Sequence, residues 1–257
     1  MKNYVISLTT AKERRAHIIK EFGKQGVDFE FFDAITPKEI EHHAKRLNLP
    51  LIGNQRLSLG EKACFLSHVC LWQKMLDDDV PYMAVFEDDI YLGEHATEFL
   101  NHEHWLNAID FDLIKLETWH ELVNLGAQQS THHHRHLHTL KSIHVGTAGY
   151  IITQSGIKKL LGYIRQLSSD ECFAIDHIMF GAFLSQGVVL QMTPALCQQP
   201  QNPNTHHTLI SQLENDRKAN TFVYKANDGL FTLIHKFFRR LYRSIGKRTF
   251  YQTVKFQ

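Results

Sequence analysis

At 257 residues and 29.8 kDa, with 43% hydrophobic and 21% charged residues, the chain has the make-up of an ordinary folded protein and can bury a sizeable core. The net charge of +1 averages two unlike parts: seven of the 28 Lys and Arg lie beyond position 230 with no acid among them, which leaves 21 bases against 27 acids, net −6, before that point. The four scattered cysteines form no C-x-x-C and fit reduced, buried thiols better than a disulfide framework, and no apolar run approaches the roughly 20 residues of a membrane-spanning helix.

Tyr4 to Leu8 reads as a first strand, followed by a helix capped by Thr9 or Thr10 that carries Arg14, Ile18, Ile19 and Phe22 and stops at Gly26. Val27 to Phe32 alternates as a second strand, with Asp33 at its end. Thr36-Pro37-Lys38-Glu39 is a helix start, with an N-cap, a proline in the first turn and a glutamate three residues on. This strand-helix-strand-helix opening predicts a parallel, Rossmann-like half. Ser58 and Glu61 form a second capping box, opening a helix to about Leu76 in which His68 falls on a buried or half-buried face, as a core histidine or a substrate contact.

Met83 to Leu92, M-A-V-F-E-D-D-I-Y-L, is an apolar strand that ends in Glu87, Asp88 and Asp89. Open α/β sheets place ligands beyond the carboxyl ends of their strands, and three adjacent acids there repel one another unless a cation or donors compensate. Magnesium or manganese, shared with a phosphate-bearing substrate, suits hard oxygen ligands; a plain acidic turn is the alternative. Glu94 to Ala108 is predicted as a helix. Asp112 to Glu117 follows as a strand that brings Glu117 to the same rim. Gly126 to Lys141 shows no periodicity and reads as a long loop, and its histidines between His132 and His138 lack the ligand spacing of a closed metal shell.

In Val145 to Thr153, Gly146 and Gly149 are small enough to let backbone approach a ligand closely. Ser155 is expected to cap the next helix, and a further helix spans Phe173 to Ser185 with Asp176 in its first turn. Val188 to Met192 is a last strand. From Gly229, Leu230, Ile234, Phe237, Phe238, Leu241 and Ile245 make an apolar stripe beside Lys236, Arg239, Arg240, Arg243 and Lys247, a pattern suited to an anionic membrane surface. Two parts are therefore expected: residues 1–205 as the catalytic-type domain and 206–257 as a helical, basic appendage. There is no nucleic-acid motif and no Gly-Lys-Ser/Thr phosphate loop.

Six segments in this order, Y-V-I-S-L-x5-R-R, F-F-D-A, G-E-K-A-C-F-L-S-H-V-C-L-W, V-F-E-D-D-I, G-T-A-G-Y-I-I-T and I-D-H-I-M-F, resemble the bacterial lipooligosaccharide transferases of glycosyltransferase family 25 over roughly residues 1–200. The resemblance implies a GT-A-like fold and an inverting, manganese- or magnesium-assisted transfer of galactose or glucose from a UDP-sugar to a terminal sugar of lipooligosaccharide. It implies metal binding at Asp89, with Glu87 and Asp88 on the metal, its waters or the ribose. Ser7, Leu8, Arg14, Asp33, Gly146 and Thr147 fall on the donor side. Asp176 is the base expected from the matching acid, with Glu117 as its alternative, and His206 or His207 is a candidate late metal ligand. With no secretion-type run in M-K-N-Y-V-I-S-L, the expected location is the cytoplasmic face of the inner membrane. Two rival readings are an inactive sugar-nucleotide-binding membrane protein and a zinc-binding protein that uses His132 to His138.

Overall fold

The computed structural model describes residues 1–200 and 250–257. Strand β1 (Lys2–Ser7) leads to α1 (Lys12–Gln25), which ends at Gly26 in the left-handed conformation that an L side chain adopts only at a cost. Neither Thr9 nor Thr10 caps this helix: its N-cap position is Ala11, which makes no side-chain cap bond. After β2 (Glu30–Asp33), Thr36 and Glu39 form the predicted box at a single 3-10 turn, which passes into α2 (Ile40–Leu47). Ser58 Oγ accepts from the Glu61 N–H at 3.1 Å and Glu61 returns the bond to the Ser58 N–H at 2.9 Å, and α3 (Leu59–Asp77) follows. Such a cap stabilises a helix by about 1 kcal/mol.

Strands β3 (Tyr82–Glu87) and β4 (Tyr91–Leu92) flank the acidic turn. The helix expected over Glu94 to Ala108 is shorter: α4 (Ala96–Leu100) and a separate 3-10 turn at His104–Leu106, where Trp105 Nε1 donates to the Phe99 carbonyl. After β5 (Leu113–Lys115), the segment read as a long loop is a hairpin of β6 (Leu122–His132) and β7 (Arg135–Leu140), turning through His133 and His134 at positive φ. Irregular register between Leu125 and Ser130 breaks the period-2 pattern, which is why the sequence shows no alternation there.

Strand β8 (Gly149–Thr153) feeds α5 (Gln154–Ile164). Its cap is Thr153, whose Oγ1 accepts from the Gly156 N–H at 3.0 Å, while the expected cap, Ser155, donates instead to Asp112 Oδ1 at 3.1 Å. The helix predicted from Phe173 to Ser185 is α6 (Ile175–Met179) and a 3-10 turn at Ala182–Ser185, parted at Gly181, where a side chain would strike the His177 carbonyl. Strands β9 (Val189–Thr193), β10 (Cys197–Gln198) and β11 (Tyr251–Thr253) complete the described residues.

Among the described residues, nine strands form one sheet in the order β11-β6-β7-β9-β5-β8-β3-β1-β2. Its β2-β1-β3 edge is parallel, the Rossmann-like half that the opening pattern predicts, and β3-β8-β5 is antiparallel. Alternation along the strands builds two cores: Tyr4, Ile6, Met83, Val85, Tyr150 and Ile152 face α2, α3, α5 and α6, whereas Val5, Ala84, Phe86 and Ile151 face α1 and α4. The architecture is α/β, with helices on both faces of a large mixed sheet.

Within the stretch read as an appendage, residues 250–257 return to this sheet. β11 pairs with β6, and the buried Arg135 guanidinium donates to the carbonyls of Pro194, Ala195, Glu94 and Gln257. The basic amphipathic stripe from Leu230 to Lys247, and His206 and His207, lie outside the described residues. No helix among the described residues is long and apolar enough to cross a membrane.

Candidate active site

The parallel strands β1, β2 and β3 end side by side, so Ser7, Asp33 and Glu87 arrive at one rim with Asp88 and Asp89 just beyond. Each acid there has a different environment. Asp88 accepts from Ser7 Oγ at 2.7 Å and from Arg14 Nη1 at 2.8 Å, so its charge is matched by protein. Asp89 is buried, 3.8 Å from Arg14, and accepts from Gln199 Nε2 at 2.7 Å. Burial, with the Glu87 charge beside it, pushes its carboxyl up to about 7, against the opposing pull of Gln199 and Arg14.

Glu87 accepts from Thr147 Oγ1 at 2.6 Å and from Gln199 Nε2 at 3.3 Å, and His68 Nε2 stands 3.8 Å from its Oε1. Burial works to raise its carboxyl, but His68, Thr147 and Arg14 outweigh that and hold it below its ordinary value. Gln199 therefore bridges two carboxylates of unlike proton affinity. The His68 ring is fully buried on α3. Its Nδ1 meets the Tyr150 hydroxyl at 2.9 Å, and that hydroxyl accepts from Trp72 Nε1 at 2.9 Å, while Nε2 has no hydrogen-bond partner. The structure thus sets this histidine beside the acidic cluster as well as in the core.

Four consecutive residues before and at the start of β8 tie the remaining acids together. The Gly146 N–H donates to Asp176 Oδ2 at 3.1 Å and Thr147 donates to Glu87. The Ala148 carbonyl accepts from the Glu87 N–H at 3.1 Å, and the Gly149 N–H donates to Glu117 Oε2 at 3.1 Å. Gly146 lies at φ +98, and a side chain on it would run into Glu117 Oε1 and the Trp119 ring. Gly149 is small for another reason than ligand approach: Cys197 Sγ packs where its side chain would be.

Asp176 sits in the first turn of α6, 9% exposed, with Oδ1 taking the His177 N–H at 2.8 Å. Glu117 is buried more completely. It pairs with the buried Lys115 Nζ at 3.0 Å and accepts from Trp119 Nε1 at 3.0 Å, and burial raises its carboxyl although Lys115 opposes this. Asp33 is exposed and pairs with Arg15, which also donates to the Leu8 carbonyl, so these two donor-side candidates lie on the outer lip of the rim.

Sequence reasoning missed Gln199 and Trp119. Nothing in a glutamine within a polar loop marks it as the bridge between two acids 110 and 112 residues away. The histidine run is dispersed along the hairpin: His132 packs on Phe99 and Trp105, His136 on Thr131, and His138 points to the Gly126 carbonyl. Among the described residues, the ligand-type atoms that gather within metal-binding reach are those of Cys64, His68 and Glu87 rather than that run.

An α/β sheet with a parallel half, and buried acids clustered past its strand ends, places the candidate site where open α/β sheets hold their ligands. The chain belongs to Glycosyltransferase family 25 (LPS biosynthesis protein), which it matches over residues 1–179, and it is a glycosyltransferase. It is 37% identical over 256 residues to the lipooligosaccharide biosynthesis protein lic2B of Haemophilus influenzae, covering 95% of each chain. It is 38% identical over 253 residues to the lacto-N-neotetraose biosynthesis glycosyltransferase LgtB of Neisseria gonorrhoeae, covering 94% of this chain and 91% of that one. With LgtE of the same organism the identity is 40% over 230 residues, covering 85% and 82%.

Proposed function

We propose that the protein is an inverting, metal-dependent hexosyltransferase that moves galactose or glucose from a UDP-sugar to a terminal sugar of lipooligosaccharide, at the cytoplasmic face of the inner membrane. The observation that carries this reading is the division of the acids. Asp88 is ion-paired with Arg14 and takes a bond from Ser7, Asp89 and Glu87 share the Gln199 amide with Arg14 and Thr147 alongside, and Asp176 is held separately by backbone N–H groups. The name of the relative lic2B, a lipooligosaccharide biosynthesis protein, and the family's description as LPS biosynthesis support the lipooligosaccharide setting.

The residues present fit a manganese or magnesium ion. Asp89 and Glu87 offer hard oxygens, and the raised proton affinity of Asp89 marks a place that wants positive charge. Such an ion, when bound, neutralises charge developing on a diphosphate leaving group. Arg14, fixed by Asp88 beside the acids, adds a permanent cation to the same region. Ser7, Leu8 and Thr147 line the donor side of the rim.

Transfer with inversion needs the acceptor hydroxyl to lose its proton as its oxygen attacks the anomeric carbon, while the bond from that carbon to UDP breaks on the opposite face. Asp176 is the group assigned to take that proton. Both of its oxygens are oriented by backbone N–H groups, a preorganisation that fixes the carboxylate without neutralising it. Glu117, paired with Lys115, acts in this reading as a buried strut under Gly149 and Trp119. The test is incubation with UDP-galactose and with UDP-glucose, manganese and a lipooligosaccharide acceptor, with the anomeric configuration of the product read by NMR. A product β-linked from one of these α-linked donors is expected. Retention of configuration, or no UDP release from either donor, would overturn the reading.

A further inference from the structure

We infer that Trp119 is the platform on which the acceptor sugar stacks, a subsite for the apolar face of a hexose placed beside Asp176. This inference rests on the transferase reading and deepens it.

Of the three tryptophans, Trp72 and Trp105 are buried and Trp119 is 41% exposed. Its indole N–H is satisfied from below by Glu117 at 3.0 Å, so the part of the ring turned to solvent is carbon. An exposed aromatic side chain usually samples several rotamers, but this one is tied down. Thr118 N–H donates to the Cys197 carbonyl at 3.3 Å and Thr118 Oγ1 to the Val254 carbonyl at 2.8 Å, which anchors the backbone on one side. On the other, the His120 N–H donates to Thr118 Oγ1 at 2.9 Å, and His120 stands at positive φ with its ring against Gln198 Oε1 at 3.0 Å. Rigid display of an aromatic face lowers the entropy lost on binding.

Its location decides what that face is for. Gly146 lacks a side chain where the indole and Glu117 crowd in, and the N–H of that same Gly146 holds the Asp176 carboxylate. The platform and the proposed base thus both adjoin one residue. The stretch Cys197 to Gln199 links this side to the donor side: Cys197 bridges Glu117, Gln198 meets His120, and Gln199 joins Asp89 to Glu87. A pyranose presents C–H groups on its apolar face and hydroxyls around its edge. Stacked on Trp119, it directs its edge hydroxyls at Asp176, with His120 and Gln198 as polar neighbours.

Two measurements test this. In steady-state assays with a lipooligosaccharide acceptor, Trp119→Ala is expected to raise the acceptor KM about tenfold or more, with Trp119→Phe between the two and the donor KM unmoved. An unchanged acceptor KM in Trp119→Ala overturns the platform. Because the other two tryptophans are buried, titration of the wild type with methyl β-galactoside, methyl β-glucoside or methyl β-N-acetylglucosaminide in the presence of UDP is expected to shift tryptophan emission saturably, and the shift is expected to vanish in Trp119→Phe. A shift that persists in Trp119→Phe, or none with any of the three glycosides, also overturns it. Saturable emission changes in a protein that transfers no sugar would instead overturn the transferase reading and leave the platform standing.

Discussion

In the proposed reaction the metal rests chiefly on Asp89. A carboxylate raised to about 7 by burial next to Glu87 is held in a place where the protein alone supplies too little positive charge. Asp89→Ala is expected to lose manganese-dependent turnover by at least about a hundredfold with the melting temperature kept or raised, since a costly buried charge is removed. Turnover and thermal denaturation of the same sample check both halves. A second residue sets an acid limit on the fold. His144 is buried, and its Nδ1–H donates at 2.8 Å to Gln191 Oε1, because the Gln191 amide nitrogen is committed to the carbonyls of Lys115, Glu117 and Met192. Burial, reinforced by the nearby Lys115 charge, lowers its pKa to about 3. In the unfolded chain the ring titrates near its ordinary 6.5, so the unfolded state binds the proton first as pH falls. Stability is therefore unaffected by this group above about 6.5 and is lost progressively from there towards 3, by on the order of 4 kcal/mol. Urea midpoints between pH 7 and 4 are expected to fall less steeply in His144→Gln than in the wild type.

At the scale of elements, the decisive piece is the turn before β8, residues 146–149, which holds Asp176, Glu87 and Glu117 through three donors and one carbonyl. Gly146→Ala forces a side chain into Glu117 and Trp119 at a φ that alanine resists, and is expected to cost about 3 kcal/mol and most of the activity, read by urea denaturation and UDP release. How legible such pieces are depends on whether their cause is local. The capping boxes at Thr36 and Ser58, and the strand ending in Glu87, carry their signals within a few residues and stand where the sequence places them. The β6–β7 hairpin does not, because its bulged register hides the alternation. The helices around α4 and α6 are interrupted by the Trp105 bond to Phe99 and by the close fit of Gly181 on the His177 carbonyl, contacts a few residues apart that apolar periodicity does not reveal. In the site, acids could be read from their place after strands, whereas Gln199, Trp119 and the His68 contact with Glu87 arise only once distant segments meet.

Across the whole molecule, the chain end is part of the sheet. Arg135, Gly93 and Thr118 all receive the last residues, so the basic stretch proposed for the membrane is tethered at both ends to described parts of the fold. Deleting everything after position 230 would also remove β11, and loss of membrane binding in that variant would mix two effects. Neutralising Lys236→Gln, Arg239→Gln, Arg240→Gln and Arg243→Gln together leaves β11 in place. Each charge contributes about 1 kcal/mol at an anionic surface, so co-sedimentation with phosphatidylglycerol-containing vesicles is expected to fall by more than tenfold while thermal stability is kept.

The central claim is that metal-binding acids and a proton-accepting acid are separate groups held by one turn. Asp176→Asn addresses it most directly, with UDP and manganese binding followed by calorimetry and transfer by UDP release on the same preparation. Binding within about twofold of the wild type, with transfer reduced by at least about a hundredfold, is the result this account predicts. Transfer at the wild-type rate, or loss of UDP and manganese binding, would contradict it.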